Sequence, residues 1–324
     1  MKISVIIVSF NTCEILRSCL DVLYRNAGSH ELEVFVVDNN SSDNSADMIR
    51  ENFRDIILIE NDLNMGFAAA NNQAYQQATG TYIILLNPDA YVKSHSFDNA
   101  VAFMESHPDC AICGGRLVNL NGELDPSARK FPTSLYKLFT ISGLSTRFAS
   151  SSIFGRGDMK YFDHNTVLEV DWVPGTFTVY RASVLKEHGL FDERFYIYYE
   201  ETDLCLSLKR AGWKVYFIPD AEVIHVGGAS SKKREDLEFD GSGSQVLKFR
   251  MRSEYLYFRK NHGFFSVLSN SGVEIAWHML RCLANTVKGR GSSLKRKESF
   301  SIIRHAVQAL IDTKAGKYTP QTPW

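Results

Sequence analysis

Residues 1–12 read MKISVIIVSFNT, and this stretch decides the fold of the chain. It is a short, continuous apolar run, rich in β-branched residues, that stops at the turn Ser9-Phe10-Asn11. Three similar runs follow, at residues 33–37, 56–59 and 82–86. Helical patterns separate them and begin near Thr12, Asp43 and Gly66. Short apolar strands that alternate with helices are typical of a parallel sheet covered on both faces, so the sequence predicts an α/β domain.

The residues directly after these strands are the first candidates for ligand binding, because ligands of such sheets bind beyond the carboxyl ends of the strands. Asp38 follows the second run and Asp89 follows the fourth. One such aspartate is usually a helix cap or a turn residue. Two of them, together with an acidic cluster further along the chain, favour a binding site. The polar strand ends are Ser9-Phe10-Asn11, Asp38-Asn39-Asn40, residues 61–66 and Asn87-Pro88-Asp89.

That acidic cluster consists of Glu200, Glu201 and Asp203, at the start of an amphipathic helical pattern. Carboxylates favour helix N-termini, so capping is the simpler interpretation of these acids. Two flanking features favour a site instead: three tyrosines between residues 196 and 199, and His225 at the end of a strand-like run.

The absence of two glycine-rich motifs narrows the classes of ligand that the chain could bind. No G-x-G-x-x-G follows the first strand, which argues against a dinucleotide-dependent dehydrogenase, and no phosphate-cradling G-x-x-x-x-G-K-[ST] occurs in the sequence. A nucleotide diphosphate bound without such a loop needs another positive charge on its phosphates. A divalent cation, Mg²⁺ or Mn²⁺, held by carboxylates would supply that charge. Asp89 is placed to bind this cation, and His225 could complete its ligands.

Five segments, taken in order, resemble the inverting, nucleotide-sugar-dependent glycosyltransferases of family 2, and more closely their rhamnosyltransferase-like branch in bacterial surface-polysaccharide assembly. They are SVIIVSFN (4–11), VVDNNSSDNS (36–45), NMGFAAANNQA (64–74), LLNPDA (85–90) and YYEETDLCLSLKRAGW (198–213). The resemblance covers roughly residues 1–260. It implies a GT-A fold, an α/β architecture whose mostly parallel nucleotide-binding sheet is flanked by helices.

The resemblance also implies a domain organisation. We expect a catalytic domain over residues 1–243, with a donor half at about 1–115 and an acceptor half at about 116–243. A helical C-terminal extension would follow over residues 244–324.

For the donor, the resemblance implies that Ser9, Phe10, Asn11 and Asp38 contact the nucleoside, with Asp38 accepting from the pyrimidine N–H. Other residues would line the donor pocket: Asn64, Gly66, Asn71, Asn87 and Asp89. Asp89 would bind the cation, and His225 in its H-x-G-G-x-S run matches the late metal-binding histidine of the family. The chain departs from the acidic D-x-D form at Asn87, which makes weaker metal dependence an open alternative.

For catalysis, the resemblance places Glu201 at the general-base position, where the family usually has aspartate after glutamate. A carboxylate there deprotonates the acceptor hydroxyl as it attacks the anomeric carbon. Glu200 and Asp203 complete the candidate catalytic group. Trp172 and Gly175 resemble the W-x-x-G element on the acceptor side, with a core position as the other interpretation of Trp172.

Composition limits the partners. The net charge of −1 gives no electrostatic reason to expect nucleic acid. Cys110 and Cys113 form a lone C-x-x-C without a second pair for zinc, which favours a buried strand over a metal or redox site. Scattered cysteines and a chain that opens on strand residues, with no signal peptide, indicate the cytoplasm.

After residue 230 the sequence changes character. Residues 230–243 are polar and Gly/Ser-rich, either a plain linker or a loop that closes over the donor. Helical patterns follow at residues 244–261, 264–287 and 294–314, with basic residues in and around the last junction: Lys288, Arg290, Lys295, Arg296, Lys297 and Arg304. Polar interruptions exclude a transmembrane span. Peripheral contact with the inner face of an anionic membrane, packing on the catalytic domain and a homo-oligomer contact all remain open.

The function predicted from these observations is transfer of a sugar, with rhamnose from dTDP-rhamnose as the candidate, to a glycan or lipid-linked acceptor in cell-surface polysaccharide synthesis. Two alternatives stay open. A nucleotidyltransferase on a similar sheet would normally carry a Gly-rich basic loop after the first strand, which is absent. A non-catalytic scaffold of an assembly complex would not need acids at both Asp89 and Glu201.

Overall fold

The structure is a computed structural model that describes residues 1–227, 244–287 and 293–320. Three features singled out in the sequence lie outside these ranges: the loop at 230–243, the basic residues Lys288 and Arg290, and Gly228 of the H-x-G-G-x-S run. The described residues form two compact units. The first contains residues 1–131, 162–193 and 200–227, and the second contains residues 132–161, 194–199, 244–287 and 293–320.

The first unit is built on one ten-stranded sheet whose main path runs β3-β2-β1-β4-β9-β6-β10-β5, with β7 on β6 and β8 on β10. The strands are β1 (Lys2–Ser9), β2 (Glu31–Asp38), β3 (Ile57–Glu60), β4 (Tyr82–Leu86), β5 (Ala90–Val92), β6 (Cys110–Val118), β7 (Leu124–Asp125), β8 (Leu168–Glu169), β9 (Phe177–Arg181) and β10 (Lys214–His225). Its helices are α1 (Cys13–Asn26), α2 (Ser45–Asn52), α3 (Phe67–Tyr75), α4 (Ser96–Ser106), α7 (Ala182–His188) and α8 (Glu200–Arg210).

The predicted parallel arrangement is confirmed for the first four strands, since β1 pairs in parallel with both β2 and β4, and β2 pairs in parallel with β3. Beyond β4 the sheet becomes mixed. Strand β9 comes from late in the sequence and runs antiparallel to both β4 and β6. Its insertion makes the first four strands and the later strands one continuous sheet.

The core of this unit follows from the apolar runs. Ile3, Val5 and Ile7 of β1 are fully buried and belong to one cluster with residues of α1 and α4. In β6, Cys110 and Cys113 are both fully buried, so the interpretation of the C-x-x-C as part of a buried strand is confirmed. All six cysteines of the chain are thiols without a disulfide partner.

The second unit is helical. It contains α5 (Ser134–Ile141), α6 (Leu144–Arg147), α9 (Ser244–His262), α10 (Phe264–Val287) and α11 (Ser293–Asp312). The last three helices agree with the helical patterns of the C-terminal sequence. Within the described ranges, no helix is both long enough and apolar enough to cross a bilayer.

Candidate active site

The ends of β1 and β2 lie side by side at the carboxyl edge of the sheet. Ser9 and Asp38 are in register, and the Asn39 amide donates to the Ser9 carbonyl at 2.8 Å. Asn11 adopts a left-handed φ of 52°, a conformation that asparagine tolerates. Its side-chain oxygen accepts from the Ser42 amide at 2.7 Å. The turn Ser9-Phe10-Asn11 is therefore bound directly to the loop that follows Asp38.

Asp38 presents one oxygen that is ready to accept a hydrogen bond. Its Oδ2 accepts from the Ser41 amide at 3.0 Å, whereas its Oδ1 is buried and has no hydrogen-bond partner among the described residues. Burial raises the pKa of Asp38, against hydrogen bonds from Ser41 that lower it. A buried acceptor without a donor is costly, so this oxygen suits a ligand N–H.

Asn39, which the sequence analysis did not single out, holds the loop that contains Asn64 and Gly66. Its Nδ2 donates to Asn64 Oδ1 at 3.0 Å and to the Gly66 carbonyl at 3.2 Å. Its Oδ1 accepts from the Met65 amide at 3.1 Å. Gly66 has a φ of 86°, which favours glycine, and α3 begins directly after it. Through Asn39, the ends of β2 and α3 are fixed to each other.

Asn71 lies one turn into α3 and is fully buried. Its Nδ2 donates to the Phe67 carbonyl at 2.8 Å. Its Oδ1 is buried and accepts no hydrogen bond from the part of the chain that the structure describes. Asn71 thus offers an acceptor in the same way as Asp38.

Asp89 and His225 are brought together by the sheet. His225 pairs with Ala90 in the antiparallel contact of β10 with β5, and His225 Nε2 lies 3.7 Å from Asp89 Oδ1. On the other side of the ring, His225 Nδ1 lies 3.1 Å from Oδ2 of Asp125, at the end of β7. With a carboxylate on each side of the imidazole, the orientation of the His225 ring is fixed.

The charges in this group act on one another. Burial alone would lower the pKa of His225, but the hydrogen bond to Asp125 and the charges of Asp89 and Asp125 outweigh burial and raise it. The hydrogen bond from His225 in turn lowers the pKa of Asp125. Across the described residues, no three His, Cys, Asp or Glu side chains are grouped closely enough to hold a metal ion by themselves. A cation bound here would need ligand atoms from its substrate or from water.

Glu201 lies in the first turn of α8. The two residues before this helix, Tyr198 and Tyr199, have φ values of 70° and 72°, a strained conformation for aromatic residues that is found most often at functional sites. Glu201 Oε1 accepts from the Gly175 amide at 3.3 Å, and Oε2 is buried without a hydrogen-bond partner among the described residues. Burial raises the pKa of Glu201 more than hydrogen bonds from backbone amides and Glu200 lower it.

The segment before β9 connects this carboxylate to the end of β4. Gly175 contacts Glu201, and the next residue, Thr176, accepts from the Asn87 amide at 3.0 Å through its carbonyl. A Cβ on Gly175 would lie 3.5 Å from Glu201 Oε1, in ordinary contact. Glu201 and Asn87 therefore both bind one short backbone segment, Gly175-Thr176.

The remaining predicted residues surround this centre. Glu200 and Asp203 are buried in the first turn of α8. Trp172 is partly buried, its indole N–H donates to the Lys130 carbonyl at 3.0 Å, and the Arg129 guanidinium lies 6.0 Å from its ring centroid. An indole has one donor, so Trp172 has only its ring face and edge to offer a ligand.

Three residues in the site were missed by sequence reasoning: Asn39, Asp125 and Thr176. Asn39 was quoted with its strand end but given no role, although its place directly after Asp38 was a usable signal. Asp125 lies in a two-residue strand and Thr176 contributes a backbone carbonyl. Neither carries a sequence pattern, because each acts through a contact that only the sheet topology creates.

The model of the family described as "Glycosyl transferase family 2" matches residues 4–189, more than half of the chain. Rhamnosyltransferase WbbL of Escherichia coli K12 is 28% identical over 277 residues, which are 82% of this chain and 94% of the relative. N-acetylglucosaminyl-diphospho-decaprenol L-rhamnosyltransferase of Mycobacterium tuberculosis is 25% identical over 219 residues, 61% of this chain and 68% of the relative.

Among solved structures, the mannosyltransferase PcManGT of Pyrobaculum calidifontis, in complex with GDP-Man and Mn²⁺, superimposes with a TM-score of 0.56 at 16% identity. The match covers 96% of this chain and 87% of that one. At this identity the likeness concerns the fold alone. The GT-A fold that the sequence motifs imply is confirmed.

Proposed function

The chain belongs to glycosyl transferase family 2, and we propose that this glycosyltransferase moves a rhamnosyl group from dTDP-rhamnose to a saccharide acceptor, with inversion at the anomeric carbon. One observation carries the mechanism. The Glu201 carboxylate is held by the Gly175 amide, with its second oxygen buried and accepting no hydrogen bond within the described residues. Such an oxygen is a suitable acceptor for the proton of an acceptor hydroxyl.

In this proposal Glu201 is the general base. Burial raises the pKa of Glu201, which strengthens its carboxylate as a base. As the hydroxyl oxygen attacks the anomeric carbon from the side opposite to the diphosphate, its proton passes to Glu201 and the bond from the sugar to the diphosphate breaks. The single displacement inverts the anomeric centre without a covalent sugar–enzyme intermediate.

The carboxyl edge of β1 and β2 would bind the nucleoside. Asp38 Oδ1 is a buried acceptor without a donor in the described residues, as expected for a carboxylate that accepts a hydrogen bond from the N–H of a bound pyrimidine base. Ser9, Phe10 and Asn11 would form the adjoining wall. Asn64, Gly66, Asn71 and Asn87 would line the pocket for the remainder of the donor.

Asp89 and His225 fit a divalent cation. Oxygen is the ligand that Mg²⁺ and Mn²⁺ prefer, and a metal-binding imidazole usually donates its other N–H to a carboxylate. His225 is arranged in this way, with Nδ1 on Asp125 and Nε2 toward Asp89. When bound, the cation would supply electrostatic stabilisation for the diphosphate leaving group. In the complex of PcManGT, a protein of this fold, a nucleotide sugar and a divalent cation, Mn²⁺, are bound together, as proposed here.

On the acceptor side, the proposal assigns Trp172 and Gly175 to the saccharide. A partly buried indole ring can pack against a sugar ring, and Gly175 holds the Glu201 carboxylate through its amide. The name of the mycobacterial relative specifies a sugar on a diphosphate-linked polyprenol, which supports a lipid-linked acceptor here. The enzyme would then act in the cytoplasm, at the inner face of the cell membrane, in the synthesis of a surface polysaccharide.

A donor panel tests the proposal. The purified protein is incubated with dTDP-, UDP- and GDP-sugars and with a short-chain prenyl diphosphate that carries N-acetylglucosamine. Nucleotide release and product mass are measured, with Glu201→Gln as the inactive comparison. We expect dTDP-rhamnose to be consumed fastest. Preference for another sugar would overturn the rhamnose assignment, and failure to consume any donor would favour the scaffold alternative.

A further inference from the structure

Helix α10 in the helical unit has inverted polarity. Four polar residues lie on its buried side: Asn270, Ser271, Glu274 and His278. Besides Phe264 at its first position, five large apolar residues of the helix are exposed: Phe265, Leu268, Met279, Leu280 and Leu283. A helix that packs on a protein core in water normally shows the opposite arrangement, with the apolar stripe inward and the polar residues outward.

The buried polar side is held in place by partners in the same unit. Lys137 of α5 donates to Asn270 Oδ1 at 2.9 Å and forms an ion pair with Glu274, both on α10. It also donates to Glu254 of α9 at 2.8 Å. Buried charges are costly unless they are paired, so this cluster fixes which side of α10 faces inward. The outward direction of the apolar side follows from the same contacts.

None of the exposed positions of α10 between 264 and 286 is charged, and the half-buried Arg281 is paired with Glu298 of α11. Phe265 is 82% exposed and Leu283 is 65% exposed. Single exposed apolar residues are ordinary, but an uncharged, largely apolar helix side points to a partner that covers it.

Helix α11 adds positive charge beside this side. It packs against α10, and Arg281 joins Glu298 across the two helices at 2.7 Å. Lys295, Arg296 and Lys297 are exposed in its first turns, between the exposed apolar residues Leu294 and Phe300. Both acidic residues of α11 are already engaged, Glu298 with Arg281 and Asp312 with Arg252, so the three basic side chains keep their charge toward solvent.

We propose that this α10–α11 surface lies in the headgroup region of an anionic lipid bilayer. We define the surface by the five exposed apolar residues of α10, together with Leu294, Phe300 and the three basic residues of α11. Aromatic and aliphatic side chains beside lysine and arginine are the combination that binds the interface of anionic membranes. A twofold contact between two copies through the same surface would bring identical basic clusters together, which favours the bilayer as the occupant.

Vesicle sedimentation with the full chain, without donor or acceptor, tests the proposal. The probes are vesicles of phosphatidylcholine alone and vesicles with about one third phosphatidylglycerol, at low and high salt. We expect binding to the anionic vesicles only, weakened by salt. Replacing Lys295, Arg296 and Lys297 by Glu should lower the partition constant by about a hundredfold or more, because each basic residue near an anionic surface contributes about a factor of five.

Matched variants control for net charge and for apolar content. Arg25→Glu, Arg54→Glu and Lys186→Glu together change the charge equally on exposed residues of the other unit and should leave binding unaltered. Leu280→Ser with Leu283→Ser should reduce binding at least about tenfold, since burying an aliphatic side chain contributes about 1.5 kcal/mol or more. Leu120→Ser with Ile153→Ser, at residues 68% and 62% exposed, should not reduce it.

Light scattering without vesicles separates the bilayer from a second copy of the chain. A dimer that Leu280→Ser with Leu283→Ser converts to a monomer, combined with absence of vesicle binding, would overturn the proposal. Equal binding of the wild type and the triple-Glu variant would also overturn it. Because no sugar is present in the assay, these outcomes are independent of the proposed sugar transfer.

Discussion

Replacing Glu201 by glutamine is the most direct test of the catalytic assignment. The carboxamide oxygen of Glu201→Gln can still accept from the Gly175 amide, which contacts Oε1 at 3.3 Å in the native protein. The substitution removes the basic oxygen and places an NH₂ group where Oε2 is buried. The local packing should therefore persist, and proton abstraction should be lost.

The magnitude follows from the environment of the carboxylate. Burial raises the pKa of Glu201, so the native carboxylate is a stronger base than an exposed glutamate. General-base catalysis typically contributes about 10²–10⁴-fold, and we expect kcat to fall by at least about 10²-fold. A hundredfold loss corresponds to about 2.7 kcal/mol of transition-state stabilisation. Because the base must be ionised, native kcat/KM should decline as the pH falls through a pKa that lies above the ordinary 4.5 of glutamate.

Steady-state kinetics with nucleotide release, together with donor binding by calorimetry, separate the chemical step from binding. Donor affinity should be nearly unchanged in Glu201→Gln, and its residual activity should no longer follow the acid limb of the pH profile. Glu200→Gln is the matched comparison, with the same chemical change one residue earlier and a much smaller expected loss. Near-native kcat in Glu201→Gln would refute the reasoning and direct attention to Glu200.

Three further predictions concern other parts of the molecule. Asp38→Ala should weaken binding of a pyrimidine nucleoside diphosphate about tenfold to a hundredfold, the range for a hydrogen bond to a charged group, and unchanged affinity in calorimetry would contradict the nucleoside role. Asp125→Ala should weaken Mn²⁺ binding, measured by electron paramagnetic resonance with nucleotide present, by about 10–100-fold through loss of the hydrogen bond that orients His225; full activity of the native enzyme in excess chelator would refute the metal proposal. Lys137→Met should lower the free energy of unfolding by about 3–5 kcal/mol, because Glu254 and Glu274 would stay buried without their cation, and an unchanged melting temperature would contradict this account.

The sequence determined the first four strands of the sheet and the three helices between them. The run at residues 82–86 is the observed β4, and the helices near Thr12 and Gly66 begin at Cys13 and Phe67. These elements are local: the apolar runs and the polar residues that end them suffice to specify short buried strands and the turns between them. The same reasoning selected Asp38, which is the last residue of β2, and Asp89, which lies between β4 and β5, and their roles stay predictions.

The tertiary structure alone decided what depends on contacts between distant segments. Strand β9 enters the sheet antiparallel to β4, and the segment before it contacts Glu201 through Gly175 and Asn87 through Thr176. No periodicity in the sequence predicts that these residues are neighbours. Asn87 lies about a hundred positions before Gly175 and Glu201, and the strand that follows Gly175 runs in the opposite direction to β4.

The polarity of α10 shows the same division. The sequence marked an amphipathic helix over residues 264–287 but left open which side faces the protein. The partners of its polar residues are Lys137, 133 positions away from Asn270 on α5, and Glu254 on the preceding helix α9. The periodicity of a sequence specifies that a helix has two sides. Only the residues that pack against the helix specify which side is buried, because burying a charge without a partner is costly.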